Sequence, residues 1–208
     1  TVVIKPAETT SLSVLALVAV MNQVLPEGVL NIVAGPGRTV GDALTRSPKI
    51  STIMFTGSTP VGKRIIEASA ANVARLTLEL GGNDAGIVLP DVDPAAIAED
   101  LFWGAFINTG QTCAALKRLY VHDSVYDAVV DELAKFAANV PMGVGLDEQN
   151  VLGPLQNRAQ FDEVDRLVES AKASGARVVL GGEPDRDAVG NFYPTTLVAD
   201  IDPHNDLV

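Results

Sequence analysis

The stretch Ser51-Thr52-Ile53-Met54-Phe55-Thr56-Gly57-Ser58-Thr59-Pro60-Val61-Gly62 decides the fold of this chain, because it joins a strand to a helix through a tight turn. The run from Ser51 to Phe55 is typical of a strand, and Pro60 to Ala71 is typical of a helix. Either Ser58 or Thr59 can serve as the N-cap, and proline suits the first helical turn. The stretch therefore predicts one strand–turn–helix unit.

The same order recurs on both sides of this unit. Strands that alternate with helices predict an α/β fold with doubly wound, mainly parallel sheets. We place a domain boundary near residues 79 to 82, where two glycines allow the chain to change direction, which gives domains 1–80 and 81–208. The other predicted strands are Val2 to Ile4, Val29 to Val33, Arg75 to Leu80, Ala85 to Leu89, Arg118 to Val121 and Arg177 to Leu180, and the other predicted helices are Leu12 to Val24, Thr39 to Thr45, Pro94 to Phe106, Val125 to Ala138 and Phe161 to Ser174.

Composition restricts the class of protein. The chain has 208 residues, 47% of them hydrophobic, which is enough apolar material for one large or two modest cores. Its formal net charge of -11 argues against a nucleic-acid or anionic-membrane partner, since both favour clustered Lys and Arg. The longest apolar stretch, Val14 to Met21, is too short to span a bilayer, and the chain does not open on a signal peptide. We therefore expect a soluble protein of a reducing compartment, the cytoplasm.

The single cysteine, Cys113, excludes an intramolecular disulfide and a CxxC metal knuckle. A buried, inert thiol is the ordinary role of such a residue. However, Gly110 and the two alanines that follow the cysteine leave room beside the sulfur, which a substrate would need. His122 and His204 show neither metal-ligand spacing nor a Cys–His arrangement, so neither a metal site nor Cys–His catalysis is expected.

Three further features could belong to a site. Glycine turns at Gly35-Pro36-Gly37 and Thr56-Gly57-Ser58 precede predicted helices, whose N-termini favour phosphate, although most such turns are only connections. Lys5 and Glu8 follow the first strand, at the strand end where open α/β sheets bind ligands and where a carboxylate can hold ribose hydroxyls. The alternative is that the two residues form a solvated surface pair. Glu79 lies between two leucines, and partial burial of its carboxylate would suit a general base. The alternative is that Glu79 does no more than cap the end of a strand.

Four motifs, in this order and with matching separations, resemble the aldehyde dehydrogenase superfamily: Lys5-Pro6-Ala7-Glu8, Phe55-Thr56-Gly57-Ser58, Leu78-Glu79-Leu80-Gly81-Gly82 and Gly110-Gln111-Thr112-Cys113. The match spans essentially the whole chain. The resemblance implies that residues 1–80 are the second half of a Rossmann-like NAD-binding domain, and that residues 81–208 are most of an α/β catalytic domain. It also implies the NAD(P)-dependent oxidation of a small-molecule aldehyde to a carboxylic acid.

The same resemblance assigns roles to residues. Cys113 would be the nucleophile that forms a thiohemiacetal and then a thioester, and Glu79 would activate the water that hydrolyses the thioester. The Cys113 backbone N–H and an asparagine placed before residue 1 would hold the oxyanion. NAD is expected rather than NADP, because Glu8 would repel a 2′-phosphate. The residues that match the family's cofactor contacts are Lys5, Glu8, Gly37, Phe55, Gly57, Ser58, Val61, Leu80 and Gly81.

The resemblance further implies the middle portion of a longer enzyme, because the family's asparagine would precede Thr1 and a cofactor-ribose segment would follow Val208. The parent enzyme would be a homodimer or homotetramer, and the isolated chain would be inactive. Two alternatives stay open: a catalytically dead scaffold or interaction fragment, and a nucleotide-binding module without redox chemistry. Trp103, Phe106 and Ile107 are candidate pocket residues by their position near the thiol.

Overall fold

The computed structural model describes residues 1–208, which form two compact units, Thr1–Gly81 and Gly82–Val208. We call them unit 1 and unit 2. Their division lies one residue from the boundary placed between residues 80 and 81. No helix combines the length and the apolar character that crossing a membrane would require.

Unit 1 consists of two parallel strand pairs with helices between their strands. Strands β1 and β2 pair with Ile4 opposite Ile32, and β3 and β4 pair with Thr56 opposite Glu79. The helix between β3 and β4 begins after Ser58, which has extended backbone, and has Pro60 in its first turn, as predicted. The elements are β1 (Val2–Ile4), α1 (Ser11–Met21), β2 (Leu30–Ile32), a π-helical turn (Gly37–Gly41), α2 (Asp42–Thr45), β3 (Thr52–Thr56), α3 (Thr59–Ser69) and β4 (Arg75–Glu79).

Unit 2 contains one parallel and one antiparallel strand pair. Strands β5 and β6 are parallel, with Val88 opposite Val121, whereas β7 and β8 are antiparallel, with Arg177 opposite Ala199. The α/β class and the mainly parallel pairing are therefore confirmed, but β8 was not predicted. The elements are β5 (Asp84–Val88), α4 (Pro94–Phe106), β6 (Leu116–Val121), α5 (Tyr126–Ala137), α6 (Arg158–Ala173), β7 (Arg177–Leu180) and β8 (Leu197–Ala199), with short 3-10 turns at Ile107–Gly110 and Asp123–Val125.

The core of unit 2 contains two hydrophobic clusters. The first cluster is built on Phe102, Ala137 and Leu152, and the second on Leu155, Phe161, Val168 and Tyr193. The Phe102 ring is fully buried and lies 5.0 to 5.3 Å from its aromatic neighbours. Two of these neighbours are Trp103 and Phe106, which are half-buried and pack against the first cluster, so their role as pocket residues stays a prediction.

Local signals predicted the well-capped elements best. Helix α4 has the predicted bounds because Asp93 accepts a hydrogen bond from the Ala95 N–H and Pro94 occupies the first turn. Helix α1 is shorter than predicted and ends at Met21, after which a turn leads to Gly28, whose φ of 77° favours glycine. The helix predicted over Thr39 to Thr45 begins as a π-helical turn at Gly37.

Candidate active site

The thiol of Cys113 is free and exposed, so the alternative of a buried, inert cysteine is wrong. Cys113 lies in a turn between α4 and β6. The turn is tied to β6 by Lys117, whose Nζ donates to the carbonyl of Thr112 at 3.0 Å. Ala115, two residues after the cysteine, is 1% exposed. Because the thiol is exposed and the turn that carries it is anchored by a buried residue, a substrate can reach the sulfur.

The backbone just before the thiol is left-handed. Asn108, Thr109 and Gly110 have φ angles of 53°, 57° and 71°. Asparagine and glycine tolerate this region, but a β-branched threonine in it is a clear outlier. Such strained positions concentrate at functional sites, where the surrounding structure holds them. We call residues Asn108–Cys113 the thiol loop.

The N–H of Cys113 has no hydrogen-bond partner in the structure, and neither do the N–H groups of the adjacent Thr112 and Ala114, whereas those of Gln111 and Ala115 bond within the turn. Gln111 donates its backbone N–H to the carbonyl of Asn108 at 3.2 Å, and Ala115 donates to the carbonyl of Thr112 at 3.2 Å. A free N–H beside a nucleophilic sulfur is the kind of donor that stabilises a developing oxyanion.

Glu79 is the last residue of β4, and it is exposed. The expectation that its flanking leucines would partly bury the carboxylate is wrong. Burial alternates along the strand, so Leu78 and Leu80 are half-buried while Thr77 and Glu79 face solvent. The backbone carbonyl of Glu79 accepts a hydrogen bond from the N–H of Gly57 at 3.0 Å, which ties the end of β4 to the turn before α3.

The turn before α3 leaves the helix N-terminus open. Ser58, the N-cap, has φ of -78° and ψ of 147°, and its side chain makes no capping hydrogen bond. A Cβ at Gly57 would lie 2.4 Å from Cζ of Phe55, so a larger residue there would require the Phe55 ring to move. Val61 is about one-third exposed at 37%. Open N–H groups, a free serine hydroxyl and a close backbone approach form a suitable cradle for a phosphate.

Lys5 and Glu8 bind backbone groups instead of each other. Lys5 Nζ donates to the carbonyl of Pro6 at 2.7 Å, and Glu8 Oε1 accepts from the N–H of Gly37 at 2.6 Å. The hydrogen bond of Glu8 crosses 29 residues and joins the loop after β1 to the start of the π-helical turn. Three predicted cofactor residues, Lys5, Glu8 and Gly37, therefore lie in one region of unit 1.

Leu80 and Gly81 follow β4 and differ in their surroundings. The Leu80 side chain packs on α3, where a Cβ at Gly62 would lie 2.9 Å from Leu80 Cδ2. Gly62 is buried in α3 and was not predicted, although a glycine inside a helix pattern is itself a signal of close packing. Gly81 is exposed, with open space where a side chain would be.

Three other features of the chain lie apart from Cys113 in the sequence. The chain has no group of three or more His, Cys, Asp or Glu side chains arranged to hold a metal ion. His122 caps a 3-10 turn, because its Nδ1 accepts from the N–H of Ser124 at 3.2 Å. A groove of about 580 Å³ in unit 2 is lined by apolar residues that include Met142, Leu180 and Phe192, but not by Cys113.

Comparisons with known proteins all identify the same family. The sequence model described as the aldehyde dehydrogenase family matches residues 1–208. Phenylacetaldehyde dehydrogenase of Pseudomonas fluorescens is 41% identical over 200 residues, which cover 96% of this chain and 40% of that protein. The chain thus spans about two-fifths of the length of the curated relatives that it matches.

Solved structures show the same similarity. An NADP-dependent enzyme of E. coli is 36% identical with a TM-score of 0.95, and the match covers 100% of this chain and 43% of that one. Aldehyde dehydrogenase C of Pseudomonas syringae, solved with NAD+ and octanal, is 35% identical with a TM-score of 0.93. That match covers 100% of this chain and 43% of the other.

Proposed function

This chain belongs to the aldehyde dehydrogenase family, and from this premise we propose that the whole protein oxidises an aldehyde to a carboxylic acid with a nicotinamide cofactor. The observation that carries the proposal is the exposed thiol of Cys113 at the end of a left-handed loop. An inert cysteine would need neither the exposure nor the strained backbone.

Cys113 is the proposed nucleophile. Its thiolate forms a C–S bond to the aldehyde carbon, and the carbonyl electron pair moves to oxygen, which gives a thiohemiacetal oxyanion. The unpartnered N–H of Cys113 can donate a hydrogen bond to that oxygen. Loss of a hydride from that carbon to a bound nicotinamide would convert the adduct into a thioester. Water would then add to the thioester carbon and the C–S bond would break, which releases the carboxylic acid and regenerates the thiol.

Glu79 is the proposed general base for the hydrolysis. Its exposed carboxylate, at the end of β4, can accept a proton from a water molecule. Of the two histidines in the chain, His122 uses its ring to cap a turn, with Nδ1 accepting from the Ser124 N–H. A carboxylate base is therefore consistent with the residues present.

The residues of unit 1 fit a dinucleotide. Ser58 and the open N-terminus of α3 would hold a phosphate, with Phe55, Gly57 and Val61 beside it. Lys5, Glu8 and Gly37 would contact the adenosine ribose, and Leu80 and Gly81 would lie by the nicotinamide. When bound, the nicotinamide ring supplies the acceptor for the hydride that the substrate carbon loses. On this proposal residues 1–80 are the cofactor domain and residues 81–208 are the thiol-bearing catalytic domain.

We propose NAD as the preferred cofactor. One oxygen of Glu8 is held by the Gly37 N–H, which fixes a negative carboxylate in the predicted ribose region. A carboxylate there accepts hydrogen bonds from ribose hydroxyls and repels a 2′-phosphate. Because relatives of this chain include both an NADP-dependent enzyme and one solved with NAD+, the ratio of kcat/KM for the two cofactors tests this choice directly.

The proposed substrate is a small-molecule aldehyde, and phenylacetaldehyde and octanal belong in the first panel because relatives bear those names or ligands. We propose a homodimer or homotetramer in the cytoplasm. The single, unpaired cysteine has no need of an oxidising compartment. Light scattering of the purified full-length protein gives its oligomeric mass, and cell fractionation gives its location.

The decisive experiment measures NADH formation by full-length protein with this aldehyde panel. Cys113→Ser should lower kcat/KM by roughly 1000-fold or more, because a serine hydroxyl is a far weaker nucleophile than a thiolate. Turnover that survives this substitution unchanged would contradict the mechanism. NAD binding by wild type without turnover of any aldehyde would favour a nucleotide-binding module instead.

The same assay in the pre-steady state separates the two proposed roles. Glu79→Gln should slow thioester hydrolysis by roughly 100-fold or more while leaving the rate of acylation unchanged. A burst of one NADH per site should therefore precede slow turnover. Glu27→Gln is the control, because Glu27 is also an exposed carboxylate of unit 1. A Glu79→Gln enzyme with the wild-type steady-state rate would contradict the assignment.

A further inference from the structure

The thiol loop is held by a segment of unit 2 that the proposed chemistry does not use. This anchor segment, Leu152–Gln156, lies between the two hydrophobic clusters. Leu152 is 2% exposed and belongs to the first cluster, while Leu155 is 7% exposed and belongs to the second. Because Leu152 and Leu155 are each packed in a core, the intervening Gly153 and Pro154 have a fixed position.

Backbone hydrogen bonds strengthen this placement. The N–H of Leu152 donates to the carbonyl of Pro141 at 3.1 Å. The N–H of Leu155 donates to the carbonyl of Asn191 at 2.9 Å, and the Asn191 side chain returns a bond to the Leu155 carbonyl at 3.3 Å. The anchor segment is thus fixed by burial and by backbone pairing, although it is neither a helix nor a regular strand.

Thr109 connects the thiol loop to the anchor segment. Its Oγ1 donates to the carbonyl of Gly153 at 3.1 Å and accepts from the N–H of the same residue at 3.1 Å. Thr109 is a β-branched residue with a left-handed φ of 57°. A strained conformation persists only where its surroundings fix it, and these two bonds provide that restraint.

Gln111 makes a second connection. Its Nε2 donates to the carbonyls of Asn108 at 3.2 Å and Pro154 at 3.4 Å, and its Oε1 accepts from the N–H of Gln156 at 2.8 Å. The side-chain amide therefore bonds both to the left-handed turn and to the anchor segment. Thr109 and Gln111 make their bonds from positions four and two residues before the thiol.

We propose that Thr109 and Gln111 are positioning residues, which fix the sulfur of Cys113 by attaching the thiol loop to the anchor segment. The proposal rests on Cys113 being the nucleophile of the proposed function. Neither side chain is assigned a contact with substrate or cofactor; each acts through the backbone that carries Cys113. A displacement of reacting atoms by about 1 Å can lower a rate by roughly 100-fold, so such restraint matters for catalysis.

Thr109→Val in the full-length protein tests the proposal, because it keeps the shape and the β-branch but removes the hydroxyl. We expect kcat to fall about tenfold with KM within about twofold of wild type. Thr109→Ser retains the hydroxyl and should restore kcat. The rate of Cys113 alkylation by iodoacetamide, measured from pH 6 to 10, should change in the valine variant and match wild type in the serine variant.

Thr196→Val is the matched control. The Thr196 hydroxyl also donates to a carbonyl, that of Pro194 at 2.8 Å, and accepts from a glycine N–H, that of Gly182 at 3.0 Å. It lies in unit 2 outside the thiol loop and the anchor segment. This control should lose thermal stability to a similar degree as Thr109→Val but keep the wild-type kcat and alkylation profile.

The outcomes separate the inference from the proposed function. If wild type oxidises no aldehyde but Thr109→Val alone alters the alkylation profile, the dehydrogenase proposal fails and the positioning role stands. If Thr109→Val and Thr196→Val both lower only the melting temperature, with unchanged kcat and unchanged alkylation, the positioning role is overturned. A serine variant as impaired as the valine variant would also overturn it, because the hydroxyl would then not be the cause.

Discussion

The two units bury different kinds of side chain. Unit 1 buries single aliphatic residues on separate elements, such as Val18 on α1, Leu30 on β2 and Ile65 on α3. Unit 2 buries aromatic rings in clusters, with Phe102 and Phe161 almost completely removed from solvent. Burial of large rings stabilises a fold more than burial of isolated aliphatic groups.

The proposed functional loops follow the same division. In unit 1 the turn before α3 depends on backbone geometry and on Gly57, and the side chain of Glu8 joins the loop after β1 to the π-helical turn. In unit 2 the thiol loop is held by two side chains on an anchor segment whose leucines belong to both clusters. Unit 1 also has a left-handed β-branched residue, Val73 with φ of 52°, but Val73 is 87% exposed and has no comparable pair of side-chain anchors.

The largest expected effect is in the first cluster of unit 2. Phe102→Ala should lower the free energy of unfolding by about 3–5 kcal/mol, because it leaves a cavity among the Trp103, Phe106 and Phe136 rings. Phe102→Leu fills more of that space and should cost about 1 kcal/mol. Urea denaturation of each variant gives the values. A loss below about 1 kcal/mol for the alanine variant would show that the cluster is not the main support of unit 2.

A smaller effect is expected for the corresponding change in unit 1. Ile65 is 4% exposed on α3, and Ile65→Ala should cost about 2 kcal/mol, at the low end for an aliphatic truncation, because the sparse surroundings can collapse. The next residue, Ile66, is 52% exposed, so Ile66→Ala is the matched control and should change stability by no more than about 0.5 kcal/mol. If Ile65→Ala proves more costly than Phe102→Ala, the contrast between the units is reversed.

The sequence predicted the elements that have local signals. Strand β1, helix α4 and strand β7 have the predicted bounds, because β-branched runs, an Asp–Pro cap and closing glycines act over a few residues. Strand β8 was missed, because Leu197–Ala199 is only three residues long and its partner lies earlier in the chain. The inward packing of Phe102 and Phe106 could have been predicted from their i, i+4 spacing.

The candidate site was predicted in its residue types but not in its supports. Cys113 and the Thr56-Gly57-Ser58 turn are visible as motifs, because nucleophiles and glycine turns have a local signature. The bonds from Thr109 to Gly153 and from Gln111 to Gln156 cross 44 and 45 residues, so no local pattern reveals them. The prediction of a partly buried Glu79 is wrong because side chains alternate along β4, so the flanking leucines face the opposite side from the carboxylate.

The smallest expected effect concerns an exposed ion pair that closes β7 and β8. The Arg177 guanidinium donates to Asp200 at 2.7 Å and the Tyr126 hydroxyl donates at 2.8 Å, which together lower the pKa of the Asp200 carboxyl. A lowered pKa means that the pair stabilises the fold fully above the unfolded-state pKa of about 4 and loses its effect as pH falls through the folded-state pKa.

Asp200→Asn suits the left-handed φ of 56° and removes only the charge. Its melting temperature at pH 7 should lie below wild type by no more than about 3 °C, and this difference should narrow below pH 4 and in 1 M NaCl. Asp202→Asn is the control, because that carboxylate accepts from the His204 backbone N–H rather than from a guanidinium. A difference for Asp200→Asn that stays constant from pH 7 to pH 3 would show that the ion pair contributes nothing, and that β8 is held by its backbone ladder alone.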